Sequence, residues 1–126
     1  MAFETLAAAG SALGTGAVIV MDETTDMVEV TRRITSFFAH ESCGRCMPCR
    51  IGGKRMLERL DRMVNGKGLP ADLQDLEKLS AGIAGVTFCP MGTGMCEPVA
   101  SGLKRAARPI RTSISCAIMS TPLSER

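Results

Sequence analysis

The chain has no tryptophan and no tyrosine, and its 126 residues include only four phenylalanines and one histidine. With an aromatic share of 3% against a hydrophobic share of 45%, the core must be aliphatic and methionine-rich. The nine methionines are scattered among Leu and Ile. They read as flexible core filler rather than as soft metal ligands or a promiscuous binding surface. The formal charge is only +2. Without aromatics on which bases could stack, that balance argues against nucleic-acid binding.

Neither a membrane span nor a secretory signal is expected from these residues. Thr5 to Met21 carries no charge, but Gly10, Gly14 and Gly16 interrupt it, and Glu4 stands where a signal would have a basic region. The stretch also falls short of the roughly 20 apolar residues a span requires. Direct membrane insertion is not expected. The same glycines precede the one good strand candidate, Ala17-Val18-Ile19-Val20-Met21, instead of linking a strand to a helix. A dinucleotide-phosphate loop of the usual kind is therefore absent.

What the chain does have is cysteine in a compact pattern. Cys43, Cys46 and Cys49 lie in the run His40-Glu41-Ser42-Cys43-Gly44-Arg45-Cys46-Met47-Pro48-Cys49-Arg50, each separated from the next by two residues. Such a loop offers three thiolates to three corners of an iron–sulfur cubane and leaves the fourth iron to a sulfur from elsewhere. Structural zinc usually draws two cysteine pairs from two separated knuckles, whereas here three crowd one loop. Gly44 permits unusual backbone angles, and Pro48 pre-sets a helix start at the third ligand. Ligand cysteines of this kind also point to a reducing cytoplasm.

Three cysteines compete for the fourth position. Cys89 lies in Thr87-Phe88-Cys89-Pro90-Met91-Gly92, which reads as a Pro- and Gly-marked loop able to carry a thiolate to a cluster, and it is the preferred candidate. Cys96, near the start of the next helical stretch, and Cys116, in a Ser- and Thr-rich tail, read as an ordinary buried or exposed thiol. His40 reads as an outer or solvent-facing residue, not a ligand.

Periodicity gives a helical protein with a short extended start. Phe3 to Ala9 reads as a short helix ended near Gly10, and Ala17 to Met21, apolar and rich in β-branched residues, as a buried strand. Asp26 and Glu29 stand at capping-box spacing, followed by Met27, Val30, Ile34, Phe37 and Phe38 at helical intervals. A second helix runs from Cys49 to about Val64 with Leu57, Leu60, Met63 and Val64 inward, ending at Asn65-Gly66. A third carries Leu73, Leu76, Leu79 and Ile83, and a fourth spans about Cys96 to Arg105 with Val99 and Leu103, before Pro109. The expected fold is mainly α, a four-helix bundle-like domain preceded by a short β-strand segment. If the second and third helices are antiparallel, Cys89 folds back toward the triple-cysteine loop.

Basic residues gather around the candidate site: Arg45, Arg50, Lys54 and Arg55 near the loop, and Lys104, Arg105, Arg108 and Arg111 after Cys89. They could offset a negative cluster or steer an acidic partner; the alternative is a solvated helix face.

The run from His40 to Arg50 resembles the iron–sulfur signature of the NADH-binding flavoprotein subunit of NADH:quinone oxidoreductase and its relatives in NAD-linked hydrogenases and formate dehydrogenases. Gly16 to Glu23 resembles the segment leading into the family's cluster domain, and Thr87 to Gly92 the segment supplying its fourth ligand, so the resemblance covers about residues 3–111. It implies that Cys43, Cys46, Cys49 and Cys89 hold one [4Fe–4S] cluster; Cys96 and Cys116 match no family ligand. In the family that cluster takes single electrons from reduced FMN, which has accepted a hydride from NADH, and passes them to further clusters. The path runs in reverse in relatives that reduce NAD.

The FMN- and NADH-binding portion that normally precedes this region has no counterpart here. The chain is then expected not to be a complete dehydrogenase. It is either a separate electron-transfer subunit in a hetero-oligomer with a flavin- and NAD(H)-binding subunit and other iron–sulfur subunits, or a remnant. The strand near Val18 would then take its neighbours from another chain. The expected organisation is a lead-in over residues 1–24, a helical cluster-binding domain over 25–111 and a polar tail over 112–126. The competing reading is a non-redox module whose four thiolates hold zinc and organise the fold for docking.

Overall fold

The computed structural model describes residues 3–9, 14, 16 and 18–102. Its helices are α1 (Phe3–Ala8), α2 (Met27–Glu41), α3 (Met47–Val64) and α4 (Pro70–Ile83), followed by α5 over residues 90–102. Among the described residues there is no strand. Val18, Ile19 and Val20 are instead 71%, 66% and 90% exposed. A β-branched run has strand propensity, but a strand exists only where a neighbour pairs with it. The described residues supply no such neighbour; Ala17 and the expected helix stop at Gly10 lie outside them.

Helix α2 begins where the sequence places its cap. Asp26 accepts hydrogen bonds from the Val28 and Glu29 N–H groups at 2.8 and 3.4 Å, satisfying donors that the first turn leaves open. Glu29 does not close a capping box; its carboxylate binds Arg32 and Arg33, each at 2.8 Å. The inward face of α2 also differs from the expected one. Thr31 and Thr35 are buried, Val28 and Phe38 pack on the core, and Phe37 is 59% exposed. The two phenylalanines still meet edge to face, 5.5 Å apart.

One core joins the four helices α2–α5. Cys49, Met56 and Leu60 of α3, Leu76 and Ile83 of α4, and Met95, Cys96 and Val99 of α5 form a single buried cluster. Met56 and Met95 are fully buried, which is the filler role that a core poor in aromatics requires. The inner face of α3 is Cys49, Gly52, Gly53, Met56 and Leu60. Leu57 and Met63 are only partly buried and Val64 is exposed. Two glycines define that face because α3 is approached closely from several sides. A Cβ at Gly52 would overlap Ile83 Cδ1 of α4, and one at Gly53 would lie 2.8 Å from Met95 Sδ of α5 and 3.7 Å from Ala39 Cα of α2.

Gly52→Leu is therefore expected to drive α4 off α3. Overpacking of this kind costs about 1–3 kcal/mol, so the urea midpoint should fall by that equivalent, while Lys54→Leu on the exposed side of the same helix leaves it nearly unchanged.

Thr35 makes the opposite case. It is fully buried, and its Oγ1 has no hydrogen-bond partner among the described residues. An unpaired buried hydroxyl is unfavourable relative to a methyl group of the same shape. Thr35→Val is expected to raise stability by about 1 kcal/mol, read as a higher midpoint in chemical denaturation.

Helix α5 starts earlier than periodicity suggests, at Pro90 rather than near Cys96. Proline at the first helical position needs no N–H partner and already has a helical φ, so the Pro-Gly segment after Cys89 is the first turn of a helix and not a loop. Cys96 consequently sits in mid-helix, buried. Leu103, Pro109, the basic group Lys104, Arg105, Arg108 and Arg111, and Cys116 lie outside the described residues. Among the described residues no helix is long and apolar enough to cross a membrane.

Candidate metal centre

Five residues separate α2 from α3, and they carry the first two cysteines. Ser42 caps the C-terminus of α2, and Gly44, at φ +78°, turns the chain between Cys43 and Arg45. That angle lies in the left-handed region that favours glycine. The Ser42 hydroxyl links the loop to the helix after it. It accepts from the Gly44 N–H at 3.4 Å and lies 3.4 Å from Cys49 Sγ. Nothing in the sequence singles out Ser42, because a serine between a helix end and a cysteine carries no signal until Cys49 is seen to turn back toward it.

Cys46 is the N-cap of α3 and Cys49 lies in the first turn, with Pro48 between them. No side chain caps this end and its first turn holds no acidic residue. Uncapped N–H groups and the positive end of the helix dipole make such a terminus hospitable to thiolates and to an anionic group bound by them. Arg45, Arg50, Lys54 and Arg55 are exposed around it and form no salt bridge among the described residues.

The second cysteine-bearing segment has the same construction. Cys89 ends a bend over residues 87–89 and is followed directly by Pro90 in the first turn of α5. The Thr87 hydroxyl donates to the Cys89 carbonyl at 3.0 Å, and Gly92 leaves room for Thr87 where a Cβ would collide with it. The two segments are neighbours, with the Arg45 guanidinium carbon 5.8 Å from the centre of the Phe88 ring. The residue before Cys46 and the residue before Cys89 thus meet, and each of these cysteines leads into a helix.

The cysteines range from surface to core: Cys43 and Cys89 are exposed, Cys46 is half-buried and Cys49 is buried. Among the described residues, no three Cys, His, Asp or Glu side chains are gathered as a metal-holding group. The structure brings the loops together without drawing the four thiols into one cage. The soft, all-thiol donor set and the positive surroundings suit an iron–sulfur cluster, and zinc among simple ions.

Cys96 is of a different kind. It is buried, and its thiol donates to the Gly92 carbonyl at 3.2 Å within α5. Burial pushes that thiol up, as do Cys49 and Glu97 nearby, while the bond with Ser80 opposes the shift. Burial thus favours the thiol of Cys96 over the thiolate that a metal would need. His40 is 86% exposed, with its Nδ1 3.1 Å from Glu41 Oε1.

The family model for the NADH-ubiquinone oxidoreductase-F iron–sulfur binding region matches residues 29–117, which include all four candidate cysteines. The chain belongs to this family. Among curated relatives, the mitochondrial NADH dehydrogenase [ubiquinone] flavoprotein 1 of Dictyostelium discoideum is 43% identical over 109 residues, covering 86% of this chain and 22% of its own length. The NADP-reducing hydrogenase subunit HndC of Solidesulfovibrio fructosivorans is 46% identical, over 79% of this chain and 20% of its own length. A chain in the crystal structure of NAD+-reducing [NiFe]-hydrogenase in the H2-reduced state superposes with a TM-score of 0.74 at 27% identity, over 79% of this chain and 17% of that one. The chain thus spans only about a fifth of the length of the relatives it matches, between 17% and 22%.

Proposed function

We propose that this chain is an electron-transfer module that holds one [4Fe–4S] cluster on Cys43, Cys46, Cys49 and Cys89 and relays single electrons between a flavin-containing, NAD(H)-binding partner and further redox centres. The observation that carries the reading is the pairing of two cysteine-led helix starts, joined where Arg45 reaches one face of Phe88. When bound, a cluster of this type takes up and gives back one electron at a time. The chain's own residues supply the rest. The α3 and α5 termini and the basic side chains around them stabilise negative charge, and Ser42 steadies Cys49. Cys49, in the core, would anchor the cluster's inner side while Cys43 and Cys89 leave its outer side near the surface, where electrons can cross to a partner.

The proposed unit is residues 25–111, with residues 1–24 as lead-in and 112–126 as tail, working in the cytoplasm within a hetero-oligomer. Val18 to Met21 would become a strand by pairing with a sheet edge of the partner that binds FMN and NAD(H), which would cover their exposed side chains.

Anaerobic purification followed by metal and sulfide analysis tests the assignment. About four irons and four sulfides per chain, a brown colour and a paramagnetic signal after reduction are expected. A colourless protein containing zinc and silent after reduction would instead establish the docking module whose thiolates only organise the fold.

A further inference from the structure

Phe88 is 91% exposed, the highest value among the exposed large hydrophobic residues of the described chain. An aromatic ring left in water calls for an explanation, and here one face of it is met by a cation. Arg45 reaches it across 43 positions of sequence, with its guanidinium carbon 5.8 Å from the ring centre, inside the range of cation–π attraction. Both partners stand on short, fixed turns. Gly44 and the Ser42 hydroxyl set the position of Arg45, and the Thr87 hydroxyl, bonded to the Cys89 carbonyl, sets the bend from which Phe88 projects. Each partner is adjacent to a candidate ligand: Arg45 precedes Cys46 and Phe88 precedes Cys89.

We infer that Arg45 and Phe88 form a clasp that holds the Cys89 bend against the triple-cysteine loop, making them positioning residues for the fourth thiolate. The inference rests on the cluster reading above and adds to it a device for keeping the ligand set closed. Arg45 then contributes more than charge, since its planar guanidinium needs the ring, and the ring needs it.

Cluster loss to a ferrous chelator, followed by absorbance under anaerobic conditions, reads the clasp directly. Arg45→Met and Phe88→Leu should each speed the loss about two- to fivefold, the range an exposed cation–π pair supports. The double variant should be no faster than either single one, and Phe88→Tyr, which keeps an aromatic face, should retain the parent rate. In the metal-free chain, the Arg45 side-chain proton resonances should show a ring-current shift that Phe88→Leu removes. Multiplying effects in the double variant would overturn the clasp and leave Arg45 as a simple charge. Unchanged loss rates in both single variants, or the absence of a ring-current shift, would overturn it as well. A parent chain that takes up no iron and sulfide would refute the proposed function and this inference together, an outcome distinct from the clasp failing on a chain that holds its cluster.

Discussion

Cys89→Ser is expected to remove the cluster absorption and the paramagnetic signal of the reduced protein, while Cys96→Ser leaves both in place. The two residues lie seven positions apart, one in the bend before α5 and one in the middle of that helix, so the pair compares location and not merely chemistry. Cys89 is exposed in the bend beside the triple-cysteine loop. Serine there offers a hard hydroxyl, hardly ionised at neutral pH, where the iron needs a soft thiolate. Cys96 is buried and already uses its thiol as a donor to the Gly92 carbonyl at 3.2 Å. Serine keeps that donor, so its effect is limited to repacking within the core. Iron and sulfide content should fall in the first variant and hold in the second. The reverse pattern would transfer the fourth ligand to Cys96 and break the assignment.

The second large effect is on stability and centres on Asp72. Leu69, at the N-cap of α4, has no side-chain oxygen with which to cap the helix, and the Asp72 carboxylate accepts its N–H at 2.9 Å. The same carboxylate, 2% exposed, is gripped by Arg62 and lies 3.5 Å from Arg59, both on α3. One side chain thus closes a helix start and fastens α4 to α3. Asp72→Ala leaves the Leu69 donor unsatisfied and two cations without their shared partner. Its expected cost is about 2 kcal/mol, or roughly 8 °C in thermal midpoint, kept moderate because the Arg62 side chain is 41% exposed and can turn to water. Asp72→Asn, which can still accept the Leu69 N–H, should lose less.

Acid should act on the same contacts. Burial pushes the Asp72 carboxyl up, but hydrogen bonds from Arg62 and the Leu69 N–H more than offset this and hold it below its ordinary value. Glu29, bonded first to Arg32 and then to Arg33, is lowered from 4.5 to about 2. Both groups bind a proton less readily folded than unfolded. Their contribution is therefore present above the unfolded value and disappears as pH falls through the folded one, for Glu29 between about 4.5 and about 2. Urea midpoints of the metal-free chain across that interval should decline, and Asp72→Asn should flatten part of the decline.

Local chemistry was legible in the residues themselves. Asp26 caps α2, Pro48 opens α3 and Asn65-Gly66 follows its end, because each device acts within a turn of where it stands in sequence. Which face turns inward was less legible. Counting only large apolar residues placed Leu57, Val64 and Phe37 inside together with Leu60, whereas of these only Leu60 is buried, and Gly52, Gly53, Thr31 and Thr35 join it. Close helix approach selects small side chains, and that choice depends on the neighbour and not on hydropathy.

That three thiols fall within seven consecutive residues, and that the chain is mainly helical, follow from the order of residues alone, since spacing and helix periodicity are properties of adjacent positions. Three other outcomes arise only from packing: the Cys89 bend lies beside the triple-cysteine loop, Cys96 is enclosed within a helix, and Val18 to Val20 stand exposed outside any sheet. They depend on how α3, α4 and α5 meet over long sequence separations, through contacts such as Gly52 with Ile83 and Gly53 with Met95, which exist only once the helices have come together.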